Sequence, residues 1–306
     1  MHRIVLYFLL AGMLSLSACA EEKPSNLTKP NILSSIKPVH AIVVAIAGEH
    51  VNSDQLIPDF SSPHHYVFKP SDIRKVKRAD IIFRIDEHFE SILNPILTSA
   101  SKQSKIVSLA ENTKIHLLSL SGEHSHDGHT DENHNAADMH IFTSPKNAIV
   151  MAQTITESLS KLDPEHADDY KKNYQLFNER ILTTSKEIQS YLAPLNDTPY
   201  IVFHNSWQYF ADYFGLRKPN IISHQEGMTA GAKTLLNTRN EISSENIRCI
   251  FSDSTISAKQ ITALTKGLVI HNTRTDVLAE QLPINQNTYV DWLNNMGQKV
   301  KICLEK

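Results

Sequence analysis

Residues 163–194 read DPEHADDYKKNYQLFNERILTTSKEIQSYLAP. Asp163 followed by Pro164 is a helix start, an N-cap with proline in the first turn. Beyond it Ala167, Tyr170, Tyr174, Phe177, Ile181, Ile188 and Tyr191 recur at three- and four-residue steps, one apolar face sustained to Pro194. At 1.5 Å per residue such a helix is roughly 45 Å long, enough to run the height of a two-lobed molecule. A coiled coil would show the same period, but only about four heptads are available and the seam is irregular. A packed spine helix is therefore expected.

On either side of this spine strands alternate with helices. Before it, residues 32–36, 79–85 and 106–109 read as strands, 39–47 as a buried helix, and further helices begin near Pro70 and after Pro145. After it, strands are expected at 200–203, from 221, at 247–251 and at 268–270. Helices are expected at 206–214 (closed by Gly215), 233–242, 258–265 and 289–297, with a last strand at 300–303 closing the sheet. The fold class is α/β: two Rossmann-like lobes with largely parallel central sheets, joined by one long helix. The divisions are a leader over 1–20, an N-terminal lobe over 21–163, the spine over 164–194 and a C-terminal lobe over 195–306.

The leader carries Arg3 and an apolar run ending near Leu16, too short to span a bilayer and suited to secretion. Ala18-Cys19-Ala20 has the small-x-small form of ordinary signal cleavage. Leu16-Ser17-Ala18-Cys19 equally fits a lipobox, in which Cys19 would carry a lipid anchor; both readings stand. Either places the chain outside the cytosol, in the periplasm. In an oxidising compartment Cys249 and Cys303 read as a disulfide stapling the C-terminal strand to the sheet. A thiolate metal pair is the alternative, weakened by their separation and the lack of a CxxC motif. With a net charge of −3 and no basic cluster or motif, nothing supports nucleic-acid binding.

Sixteen histidines against nine glycines need an explanation. Residues 119–137 form a polar loop of histidine and acid that cannot order itself by burying apolar surface. Its histidines, taken with His116, are His116, His124, His126, His129 and His134, a candidate auxiliary metal collector; a merely solvated loop that happens to chelate is the alternative. Three other histidines sit where strand or loop edges meet polar turns: His64 in Ser62-Pro63-His64-His65-Tyr66, His140 in Asp138-Met139-His140, and His204 in Phe203-His204-Asn205. His204 directly follows a buried strand, and the C-terminal end of a parallel strand faces the ligand crevice.

These segments resemble the metal-specific solute-binding proteins that serve ABC transporters, and within them the zinc branch. The marks are His64-x-Tyr66 with Pro70-Ser71-Asp72, the run from Asp138 to Pro145, the Phe203-His204 strand end, and the acidic histidine loop just before Asp138; a late cysteine pair also occurs in that family. The resemblance implies that His64, His140 and His204 bind Zn2+ between the lobes, that the spine limits closure, and that the loaded monomer docks on a membrane permease. It implies no enzymatic activity. Where relatives carry a Gly-x-x-Asp-Pro-Leu-Gly type turn, this chain reads Asn272-Thr273-Arg274-Thr275-Asp276-Val277-Leu278. Asp276 is accordingly the candidate acidic fourth ligand, with water or a loop residue as alternatives. His65, His224 and His271 match no ligand position.

Three imidazoles and one oxygen suit tetrahedral zinc; neutral imidazoles must compete with protons, so affinity is expected to fall as pH drops through about 6.5. Three rivals share parts of this pattern. A zinc hydrolase lacks a His-Glu-x-x-His helix and a clear base, although Glu226 and Asp276 are candidates. A manganese or iron importer subunit or an adhesin would use the same scaffold, and a periplasmic zinc buffer would lack the permease.

Overall fold

The computed structural model describes residues 28–98, 104–120, 137–223, 231–254 and 256–306. The leader with Cys19, and loop residues His124, His126, His129 and His134, lie outside the described residues. Among the described residues no helix is long and apolar enough to cross a membrane.

The N-terminal lobe runs β1 (Asn31–Ser34), α1 (Lys37–Ala47), β2 (Asn52–Gln55), α2 (Pro70–Arg78), β3 (Ile81–Arg84), α3 (Asn94–Leu97) and β4 (Lys105–Ser108). Then come α4 (Pro145–Leu162) and α5 (Ala167–Leu192). The C-terminal lobe runs β5 (Tyr200–Val202), α6 (Gln208–Tyr213), β6 (Asn220–Ile221), α7 (Ala232–Ser244), β7 (Cys249–Ser252), α8 (Ala258–Thr265), β8 (His271–Arg274) and α9 (Thr288–Leu304). Each lobe holds a four-stranded parallel sheet, ordered β2-β1-β3-β4 and β6-β5-β7-β8, so the second repeats the first. The inner strands β3, β5 and β7 are buried along their whole length, as sheets covered on both faces require.

The spine is α5. Tyr170, Phe177, Ile181 and Ile188 of the expected face are buried, with Ser185 and Leu192. It packs against α4, α9 and α1, so one continuous apolar core passes from the first sheet through these helices into the second lobe. A smaller cluster around Ile201, Ile250 and Leu264 fills the far side of the second sheet. Asp163 does not cap the helix. A 3-10 turn over Pro164–His166 comes first, and the Asp163 carboxylate instead accepts from Tyr170 Oη at 2.6 Å and pairs with His166 Nδ1 at 2.7 Å.

Three expectations are corrected. Residues 300–303 are not a strand, because α9 continues to Leu304 and buries Trp292, Leu293, Met296, Val300, Cys303 and Leu304 at helical steps. The polar–apolar alternation of 299–304 mimicked a strand, and Gly297 looked like a helix end. Gly297 is instead the point of closest approach to the spine: a Cβ there would stand 2.9 Å from Ile188 Cγ1 and collide with the Tyr191 hydroxyl. The disulfide is present, with Cα atoms 5.4 Å apart, but it joins β7 to the last turn of α9 rather than to a strand. The final strand β8 begins at His271, after the apolar run 268–270, and β2 was not anticipated at all. Both are edge strands of polar sequence, Asn52-Ser53-Asp54-Gln55 and His271-Asn272-Thr273-Arg274, and hydrophobic patterning does not detect a strand that buries no face.

Gly297→Ala should destabilise the protein by about 1–3 kcal/mol through overpacking of α9 on α5. Gly231→Ala, where no described residue would lie within 4 Å of an added Cβ, should cost less, only the roughly 0.5–1 kcal/mol lost from the N-cap of α7, both read by urea denaturation.

Candidate metal centre

His64 lies in the loop between β2 and α2. Asp72, buried in the first turn of α2, accepts from Lys69 N at 2.8 Å and from Tyr66 Oη at 3.0 Å, which ties the loop to the helix that follows. This is the physical content of the His-x-Tyr-x-x-x-Pro-Ser-Asp run. His140 stands just before a 3-10 turn over Ile141–Thr143 and the Ser144 N-cap of α4, whose Oγ accepts from Asn147 N at 3.2 Å. Tyr209 of α6 donates its hydroxyl to the backbone carbonyl of Asp138, holding the Asp138–His140 segment against the second lobe. His204 follows β5, and the neighbouring Phe203 N still donates to Phe251 O at 3.1 Å, so the sheet fixes where this histidine emerges.

The three histidines line one cavity, shared with Pro63, Phe89, Ser206 and Glu280. Ring centroids are 6.1 Å apart for His64 and His140, and 5.2 Å for His140 and His204. The Phe89 ring meets both His64 and His140 edge-on, at 4.8 and 5.1 Å. Its carbonyl lies 3.1 Å from His64 Nδ1, and Asp138 Oδ1 lies 2.7 Å from His140 Nδ1. A ring whose Nδ1 donates to an acceptor carries its lone pair on Nε2, the arrangement that orients metal-binding imidazoles. The cavity measures about 40 Å³, room for an ion with a water or so and far below the several hundred Å³ of an organic-ligand pocket. Among the described residues no group of three or more His, Cys, Asp or Glu side chains is arranged to hold an ion as it stands.

Other expected residues lie elsewhere. The two Asp276 carboxylate oxygens accept backbone N–H groups, from Glu280 at 2.7 Å and Gln281 at 3.0 Å, and Asp276 does not line the cavity although Thr275 and Val277 do. Glu280, which sequence reasoning missed, is one of two carboxyl residues lining the cavity, the other being Asp253, and burial raises the Glu280 pKa. No local motif marks it; only its place on the folded turn does. His65 is exposed beside His64, and His116 faces Asp212 at 3.9 Å away from the cavity. His271 is exposed on β8, while His224 and Glu226 lie outside the described residues.

Residues 32–303 match the family model described as ZnuA, zinc-uptake complex component A, periplasmic. The high-affinity zinc uptake system protein ZnuA of Yersinia pestis is 27% identical over 304 residues, 94% of this chain and 96% of that protein. Its counterpart in Haemophilus influenzae is 26% identical over 325 residues, covering 92% and 94%. A solved ZnuA crystal structure superposes with a TM-score of 0.77 at 26% identity, covering 90% of this chain and 99% of the other. A manganese-bound periplasmic metal-binding protein from Candidatus Liberibacter asiaticus gives 0.75 at 21% identity, with 90% and 100% covered, a likeness of fold.

Burial, with His140 nearby, lowers the His64 pKa from 6.5 to about 4. This imidazole therefore stays neutral well below the pH at which a free histidine takes up its proton. The unfolded chain protonates first on acidification, so the stability that His64 contributes is full above 6.5 and lost as pH falls toward 4. Buried His40, also lowered to about 4, adds the same sign; buried Glu90, raised to about 7, opposes it by holding a proton better when folded. NMR titration of the metal-free protein should leave the His64 ring unshifted from about pH 8 to about pH 5, where an exposed histidine titrates fully.

Proposed function

The chain belongs to the ZnuA family of periplasmic zinc-uptake components, and on that premise we propose that it captures Zn2+ at His64, His140 and His204 and delivers it to the permease of an ABC transporter. The observation that carries this reading is the meeting of three imidazoles from both lobes in one small cavity, with the Nδ1 atoms of His64 and His140 hydrogen-bonded to protein acceptors. Zn2+ is cargo here. The rings draw together around it, each giving one nitrogen, and the fourth place goes to water or to a carboxylate recruited from the turn after β8. The nitrogen-rich donor set favours zinc over manganese, which prefers carboxylates and higher coordination. The named relatives are uptake proteins, so a binding role is preferred to hydrolysis.

The protein works in the periplasm as a monomer, released from its leader or anchored by lipid at Cys19. The disulfide suits that compartment. The loop histidines collect zinc weakly and raise its concentration near the cleft.

Calorimetric titration of metal-stripped protein should show one tight Zn2+ site. In a variant carrying His64→Ala, His140→Ala and His204→Ala that site should weaken beyond the roughly 10–100-fold typical of outer-shell changes, with weaker loop sites surviving. Tight binding that persists in the triple variant would place the receptor elsewhere.

A further inference from the structure

Glu280 joins the two lobes at the wall of the cavity. From the turn after β8 in the C-terminal lobe, its Oε1 accepts the backbone N–H of Phe60 in the N-terminal lobe at 2.7 Å. Its Oε2 accepts from Ser254 Oγ at 3.3 Å within its own lobe. Its backbone carbonyl accepts from Lys37 Nζ at 3.3 Å, and this buried ammonium also pairs with Asp59 Oδ2 at 2.7 Å. Asp276, whose carboxylate caps Glu280 N, braces the turn from behind.

The recipient of the carboxylate bond is an unusual residue. Phe60 has φ of +61°, a left-handed backbone conformation that a bulky side chain adopts only when its surroundings impose it. Its ring is 68% exposed, so side-chain packing does not impose it; the N–H bond to Glu280 and the Lys37–Asp59 pair next door are what hold it. Four residues further along the same loop is His64.

We propose that Glu280 is a positioning residue of the metal site, holding the 59–64 loop from the opposite lobe so that His64 stands at a set reach from His204. This rests on the zinc-capture reading. The clamp makes the width of the donor set a property of interlobe contact. When it lets go, His64 retreats with its loop and the ion is released, while His204 stays on the sheet.

The test pairs Glu280→Ala with Glu280→Gln in the full chain. Two quantities are read: hydrogen exchange of the Phe60 amide in metal-free protein, and Zn2+ dissociation into excess chelator. Glu280→Ala should speed both, dissociation by about tenfold or more, as expected for loss of a hydrogen bond to a charged acceptor. Glu280→Gln keeps an oxygen for the Phe60 N–H and should restore both. In a His64→Ala background, Glu280→Ala should add no further loss of Zn2+ affinity, because its effect travels through that loop.

Unchanged Phe60 exchange in Glu280→Ala overturns the proposal. So does a Glu280→Gln variant that protects Phe60 yet releases Zn2+ as fast as Glu280→Ala, since the carboxylate would then touch the ion itself. Failure of the capture reading would show in the wild-type and triple-histidine titrations, before any Glu280 variant is made, and the exchange measurement stands without metal.

Discussion

The packing of α5 against α1, α4 and α9 is the constraint on which the rest of the molecule depends. Two small lobes that each buried only their own sheet would be free to swing. Here the apolar core is continuous through the helices between them, and α9, which belongs to the second lobe, lies so close to the spine that only glycine fits at position 297. Large hinge opening would expose that core, at roughly 25 cal/mol for each Å² of apolar surface. Motion at the cleft is thereby confined to loops and side chains near the strand ends.

The donors divide by rigidity. His204 leaves the end of a fully buried strand, and His140 is fixed by Asp138 on one side and the start of a long helix on the other. His64 sits in the loop between β2 and α2, braced at its far end by the Tyr66–Asp72 contact. Phe89 spans His64 and His140 with one ring, an apolar neighbour that strengthens charge interactions formed beside it. The two edge-on aromatic contacts and the hydrogen-bonded Nδ1 atoms fix how the His64 and His140 rings face the cavity.

Much of this was legible in the sequence, and the boundary of what was legible has a physical cause. The inner strands and the spine announce themselves because burial on both faces forces a continuous apolar run, as at Ile81-Ile82-Phe83, and burial of one helix face forces steps of three to four, as at Tyr170, Phe177 and Ile181. His64, His140 and His204 stood out because each is embedded in polar turn residues that local hydrogen bonds require, and the fold brings their rings to one cavity. Asp276 was marked only by its place where relatives carry an aspartate-containing turn, and its carboxylate accepts the backbone N–H groups of Glu280 and Gln281. Glu280 and Phe89 were invisible: each acquires its role from contacts with residues far away in the chain, and nothing in its immediate neighbours records that. The α9 segment was misjudged because a glycine required for helix–helix contact looks like one that ends a helix.

The polarity of the edge strands β2 and β8 has a consequence of its own. An open sheet offers unpaired backbone groups at its rim, and a second molecule can extend the ladder there. Asn52-Ser53-Asp54-Gln55 and His271-Asn272-Thr273-Arg274 place no apolar stripe on those rims, and charged side chains punctuate both. Strand-by-strand self-association would have to proceed without hydrophobic gain and with desolvation of charge. The same feature that hides these strands from sequence patterning protects these two rims against edge-to-edge aggregation.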